Sequence, residues 1–114
     1  RIGAVAMGKE KGVGRPTIRV RVEPELADIV PIFLEHRRED VARLRDALAA
    51  DDLETVERLG HSMKGTGGGY GFPPVADIGD RLERAAMAGE RDAIPPMIAE
   101  LADYLERLEL VHDE

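Results

Sequence analysis

The chain has 114 residues, a length that predicts one domain large enough to bury a core without staples. Charged residues make up 34% and aromatic residues only 4%, which is typical of a soluble helical domain. The absence of Cys excludes disulfides and thiolate metal sites, and three scattered histidines argue against a zinc site. No run approaches the ~20 apolar residues of a membrane span, and no segment resembles a signal peptide, so we expect a cytoplasmic protein.

The net charge of −7 is unevenly distributed along the chain. Residues 1–22 hold six basic groups and one acidic group, whereas residues 23–114 hold ten basic and 22 acidic groups. Because phosphate contacts require a basic surface, the acidic part is not expected to bind nucleic acid. We expect residues 1–23 to be a linker or a remnant of a longer protein or tag, and residues 24–114 to form the domain.

A short stretch before the domain has the alternation of a β-strand. Residues 17–23, TIRVRVE, place apolar and polar side chains at every second position. Because no other strand pattern is found in the chain, this stretch cannot form a sheet alone. We expect an extended lead-in that lies against the helices.

From Pro24 onward, apolar residues recur at mostly three- and four-residue spacings and predict four helices. Pro31 predicts a kink or a split in the first helix, because proline cannot donate to the carbonyl four residues back. The expected bounds are a first helix from Pro24 to the Ala49-Ala50 break, a second from Asp51 or Asp52 to Tyr70, a third from Pro73-Pro74 to Gly89, and a fourth from between Asp92 and Pro96 to Val111. Short connections imply an all-α, antiparallel up-and-down four-helix bundle.

The second helix carries an unusual exposed face. On a helical wheel with Leu53 at zero, the apolar residues lie between roughly 240° and 340°, while His61 lies at about 80° and points to solvent. Gly65, Gly68 and Gly69 lie at about 120°, 60° and 160° on the same side. Exposed helical glycine costs about 1 kcal/mol relative to alanine, so this face is interpreted as a surface that another backbone approaches. A frayed helix end is the alternative, which explains Gly69 and Gly71 but not Gly65.

These residues resemble a known signature. His61-Ser62-Met63-Lys64-Gly65, with Gly71 ten positions after the histidine, is similar to the HxxKGxxxxxG motif of histidine-containing phosphotransfer (HPt) domains of bacterial two-component phosphorelays. The likeness covers roughly residues 25–110 and implies the same helical bundle. It implies that His61 accepts a phosphoryl group and exchanges it with the aspartate of a response-regulator receiver domain.

The resemblance also implies roles for two polar residues and for the partners. Lys64 would counter charge on the phosphoryl group. Glu83, 22 positions after His61, would accept the imidazole Nδ1 proton; alternatively it is a solvated carboxylate beside Arg84. The expected partners are a receiver domain, a hybrid histidine kinase, or both. The domain is expected to be a monomer without a cofactor of its own, with Mg²⁺ arriving on the receiver.

Two other functions are weighed against phosphotransfer. A non-phosphorylated helical interaction module would use the glycine face to dock a partner without chemistry. A nucleotide loop in the glycine-rich stretch of residues 67–71, which includes Tyr70, is disfavoured because no strand precedes it. Lys64 also precedes the glycines rather than following them as in a P-loop. The chain is therefore expected to be a phosphocarrier without ATP-binding or kinase machinery.

Overall fold

The computed structural model describes residues 16–112, which form four α-helices and one pair of strands. The helices are α1 (Val30–Ala49), α2 (Leu53–Gly67), α3 (Pro73–Met87) and α4 (Ile94–Arg107), and the strands are β1 (Ile18–Val22) before α1 and β2 (Leu108–His112) after α4. Short loops join each helix to the next, as in an antiparallel up-and-down bundle. The predicted all-α bundle is confirmed, with a small strand pair added to it.

The helix starts follow the capping signals of the sequence. A separate 3₁₀ turn covers Pro24–Leu26, and Pro31 lies in the first turn of α1, where its missing N–H has no helical partner to lose. The predicted split near Pro31 is confirmed. Asp52 caps α2, because its carboxylate accepts hydrogen bonds from the hydroxyl of Thr55 at 2.6 Å and from the backbone N–H of Thr55 at 3.1 Å. These bonds lower the pKa of Asp52.

The prediction that the chain has no second strand is wrong. β1 pairs in parallel with β2, with Ile18 opposite Leu108. Residues 108–111, expected to continue the fourth helix, are extended instead. Leu108 and Leu110 pack against the core while Glu109 between them is exposed, so the segment also satisfies the two-residue period of a strand. Pairing supplies partners for β1 backbone groups that would otherwise need water, and a local pattern cannot show such a distant partner.

The core lies between the four helices and reaches β1. Val22 is buried, so the lead-in packs against the bundle as expected. The domain boundary at residue 23 stays a prediction. The largest fully buried side chains are Phe72, Leu44, Met63, Ile78, Leu82, Ile94, Leu101, Val30, Val56 and Val75.

A buried charged pair on α1 ties this helix to α2. Arg37 Nη2 lies 3.0 Å from Asp40 Oδ2, and Arg37 Nη1 donates a hydrogen bond to Thr66 Oγ1 at 3.1 Å. Arg43 Nη1 lies 3.1 Å from the other oxygen of Asp40. Burial raises the pKa of Asp40, and the two arginines oppose that rise. Thr66 in turn donates to the carbonyl of Ser62, so the contact reaches the residue beside His61.

Glycines allow α2 and α3 to approach until their backbones touch. A Cβ atom added to Gly60 would lie 2.7 Å from the carbonyl oxygen of Gly79, and one added to Gly79 would lie 2.6 Å from that of Gly60. About two turns further along α2, a Cβ at Gly67 would lie 2.6 Å from the backbone nitrogen of Ala76. Backbone atoms cannot rotate away as a side chain can, so these glycines fix the spacing of the two helices.

This packing predicts opposite effects for buried and exposed glycines on α2. Gly60→Ala should lower the free energy of unfolding by about 1–3 kcal/mol, because the added methyl group forces the helices apart. Gly65→Ala is the matched control, since nothing lies within 4 Å of its added Cβ. It should raise the free energy of unfolding by up to about 1 kcal/mol through helix propensity. Urea unfolding followed by circular dichroism measures both, and equal destabilisation would contradict the proposed packing.

Candidate functional site

The exposed face of α2 presents His61 to solvent. The His61 side chain is 74% exposed, whereas Val56 and Met63 on the opposite side of the helix are fully buried. The orientation expected from the helical wheel is therefore confirmed. His36 on α1 and His112 on β2 are also exposed but belong to other elements than α2. His61 is thus the histidine that the bundle places beside polar groups of a neighbouring helix.

Glu83 on α3 holds one nitrogen of the His61 ring. Glu83 Oε2 lies 3.0 Å from His61 Nδ1, and the Glu83 side chain is only 15% exposed. Because a carboxylate accepts, the neutral ring carries its proton on Nδ1 and donates it to Glu83. Nε2 then keeps its lone pair and has no hydrogen-bond partner among residues 16–112. The contact joins α3 to the histidine, and the orienting function of Glu83 stays a prediction.

The close approach of α2 and α3 makes this contact possible. A Cβ added to Gly60 would meet the backbone nitrogen of Glu83 at 2.8 Å, which places the start of the Glu83 side chain beside α2. His61 follows Gly60 directly in the chain. The Glu83 carboxylate can therefore reach the His61 ring from α3.

The Lys64 ammonium group contacts carboxylates of α3 rather than the His61 ring. Its Nζ is 3.2 Å from Asp80 Oδ1 and 3.7 Å from Glu83 Oε1, and the side chain is 51% exposed. The two oxygens of Glu83 are thereby divided between His61 and Lys64. Lys64 stands one turn after His61, within the reach of a flexible side chain. The predicted action of Lys64 on a phosphoryl group would draw on the same ammonium group that contacts these carboxylates.

Sequence reasoning did not include Asp80 in the site and named Arg84 only as a neighbour of Glu83. Asp80 Oδ2 is 2.8 Å from Arg84 Nη2, so Asp80 joins Arg84 to Lys64. Asp80 stands three residues before Glu83, a spacing that puts both carboxylates on one face of α3. This spacing was the available signal. The cluster of Lys64, Asp80, Glu83 and Arg84, hereafter the α3 charge cluster, holds two positive and two negative groups when its members carry their ordinary charges.

The glycines of the exposed face lie in two different settings. Gly65 is inside α2, whereas Gly68 and Gly69 belong to the turn that follows the helix end at Gly67. The prediction that α2 continues to Tyr70 is therefore too long. Open space surrounds an added Cβ at Gly65 and Gly68, and at Gly69 the nearest atom is 3.7 Å away. The resulting surface beside His61 is smooth, and Gly71, with φ of +92°, completes the reversal into α3.

The described residues hold no group of three or more His, Asp or Glu side chains placed to bind a metal ion. None of the helices in residues 16–112 is long and apolar enough to cross a membrane.

Comparison with known families gives a match, which spans the helical bundle. The model of the Hpt domain family matches residues 28–110, which cover α1 to α4 and the first part of β2. No curated protein and no solved structure is a significant match to the chain. The family match covers most of the chain and includes the exposed histidine, its carboxylate partner and the glycine face. The protein therefore belongs to the Hpt domain family, whose members carry phosphoryl groups in phosphorelays.

Proposed function

We propose that His61 accepts a phosphoryl group on Nε2 and exchanges it with the aspartate of a response-regulator receiver domain. One observation carries this proposal: His61 is exposed, and Glu83 holds its Nδ1 at 3.0 Å, which leaves the Nε2 lone pair directed outward. A neutral imidazole with a fixed tautomer is a ready nucleophile for phosphorus. The Hpt family match supports a phosphocarrier rather than a kinase.

The chemistry assigns a separate task to each polar neighbour. As Nε2 bonds to phosphorus, the bond from phosphorus to the aspartyl oxygen breaks, and the released carboxylate keeps the electron pair. The ring then carries positive charge, which Glu83 stabilises through the Nδ1 proton that it accepts. Lys64 supplies positive charge to the phosphoryl oxygens. Transfer back to a receiver reverses each of these changes.

The partner is proposed to bring the groups that this site lacks. Mg²⁺ would arrive with the receiver domain, which uses it to neutralise phosphoryl charge. The receiver, or a hybrid histidine kinase that carries one, would dock on Gly65, Gly68 and Gly69, where no Cβ keeps its backbone at a distance. We propose that the protein works as a cytoplasmic, bacterial monomer that does not bind nucleic acid.

The first test of this function is the loss of the acceptor. His61→Gln should abolish the uptake of acid-labile phosphate and leave the fold intact, because changes at exposed positions rarely exceed about 0.5 kcal/mol. Phosphorylation by a panel of phosphorylated receiver domains, followed with radiolabelled phosphate, measures uptake. His36→Gln and His112→Gln are the controls and should behave like wild type. Phosphate on the His61→Gln variant would refute the assignment, and partner binding without phosphate on wild type would favour the interaction module.

A second test separates the orienting function of Glu83 from that of a bystander. Glu83→Ala should slow phosphate acceptance by roughly ten- to a hundredfold, a modest part of what a positioned proton acceptor contributes. The His61 tautomer should shift towards a mixture of Nδ1–H and Nε2–H forms, which ¹⁵N NMR of the ring measures directly. Glu100→Ala is the control, because Glu100 lies on α4 and contacts Arg81. A variant at Glu83 with an unchanged tautomer and rate would remove the residue from the site.

A third test concerns docking. Gly65→Leu should weaken receiver binding, because it adds bulk where a partner backbone approaches, while the helix content holds or rises. Gly68→Ala adds only a methyl group in open space and should have a smaller effect. Binding is measured by titration calorimetry with the receiver that transfers phosphate fastest. Wild-type affinity in the Gly65→Leu variant would show that this face is not the docking surface.

A further inference from the structure

The α3 charge cluster contains one carboxylate that the proposed chemistry does not use. Asp80 is 28% exposed and stands between two cations, with one oxygen 3.2 Å from Lys64 Nζ and the other 2.8 Å from Arg84 Nη2. It does not contact His61. Its contact with Lys64 is shorter than the 3.7 Å contact that Lys64 makes with Glu83. Asp80 is thus the nearer of the two carboxylates that hold the ammonium group.

We propose that Asp80 is a positioning residue that holds the Lys64 ammonium on α3 until a phosphoryl group on His61 competes for it. The proposal rests on the proposed function of His61. Its physical basis is that Lys64 carries a single positive charge on one flexible side chain, so a closer contact with a phosphoryl group weakens its contacts with the two α3 carboxylates. Asp80 therefore contributes to the free energy needed to move Lys64 from α3 to the phosphoryl group.

Glu83 is the weaker partner of the same ammonium group, because its Oε1 lies 3.7 Å from Lys64 Nζ while its Oε2 contacts His61 Nδ1. Asp80 is therefore the carboxylate whose removal should release Lys64 most directly. Arg84 partly neutralises Asp80, which limits the repulsion between Asp80 and an incoming phosphoryl group. The cluster thus keeps the Lys64 ammonium near His61 while α3 carboxylates hold it in the resting protein.

Chemical phosphorylation allows this idea to be tested without an identified receiver. Phosphoramidate, as its zwitterion, gives its phosphoryl group to Nε2: the bond between Nε2 and phosphorus forms, the bond from phosphorus to the amine nitrogen breaks, and ammonia leaves with that electron pair. The Nδ1 proton stays on the ring and faces Glu83. At fixed concentrations of phosphoramidate and ammonia, the phosphorylated fraction of His61 in ³¹P NMR reports the equilibrium constant.

Removing the Asp80 charge should favour the phosphorylated state. In Asp80→Asn, Lys64 no longer has to leave a strong partner, so the equilibrium constant should rise about two- to fivefold, the range that a partly exposed ion pair supports. Asp77→Asn is a matched control. It also removes an aspartate that pairs with an arginine four residues later on α3, but Asp77 contacts Arg81 and not Lys64. It should leave the equilibrium constant near the wild-type value.

A double-mutant cycle separates positioning of Lys64 from simple charge repulsion. In a Lys64→Ala background, Asp80→Asn should change the equilibrium constant much less than it does when Lys64 is present. An equal change in both backgrounds would show that Asp80 acts directly on the phosphoryl group and would overturn the proposal. An unchanged constant in Asp80→Asn itself would also overturn it, while His61 phosphorylation of wild type would still support the proposed function.

Lys64 can also be observed in the resting protein, because the chain has only two other lysines, Lys9 and Lys11. Labelling with ¹⁵N-lysine gives at most three side-chain signals, and Lys64→Arg identifies the one from Lys64. In Asp80→Asn this signal should shift and its protons should exchange faster with water, whereas Asp77→Asn should leave it in place. A Lys64 signal that is insensitive to Asp80 would refute the holding contact. Failure of wild-type His61 to take phosphate would overturn the proposed function and this inference with it.

Discussion

The site depends on how closely two helix backbones approach. Gly60 and Gly79 leave no room for a Cβ between α2 and α3, so the helices lie in backbone contact at the level of His61. A wider spacing would move the Glu83 backbone away from α2, whereas at the present spacing its carboxylate lies 3.0 Å from the imidazole Nδ1. The orientation of the imidazole therefore depends on how the α2 and α3 backbones pack. A pair of glycines buried in the interface decides the geometry of an exposed reactive group.

The positive and negative side chains around His61 nearly balance one another. Lys64 and Arg84 offset Asp80 and Glu83, and Lys64 is half exposed on a long flexible side chain. Partly exposed ion pairs contribute little to stability, commonly below about 1 kcal/mol each. Their weakness would suit the proposed transfer of a phosphoryl group to and from His61. Contacts that are cheap to break can be exchanged for contacts to phosphate without disturbing the bundle underneath.

Local patterns were sufficient for features that depend on one element. The wheel of α2 predicted the exposure of His61, and the Asp52 cap and Pro31 predicted where helices begin, because each signal lies within a few residues. Features that depend on distant segments were missed. Leu108 satisfies both a helical and a strand spacing, and only β1 decides between them. The contacts of Lys64 could not be predicted from local patterns, since they depend on the register between α2 and α3. Family likeness supplied Glu83, which spacing alone could not distinguish from a surface carboxylate.

The strand pair gives the domain one long-range closure on top of local helical contacts. Ile18 pairs with Leu108, ninety positions apart, and Arg107 at the end of α4 donates a hydrogen bond to the carbonyl of Pro16 at 2.8 Å. Bringing such distant segments together costs loop entropy, while helices and their hairpins close short loops first. We expect the bundle to form early and the strands to join last. The strand pair would then fray before the helices that carry His61 and Glu83 separate.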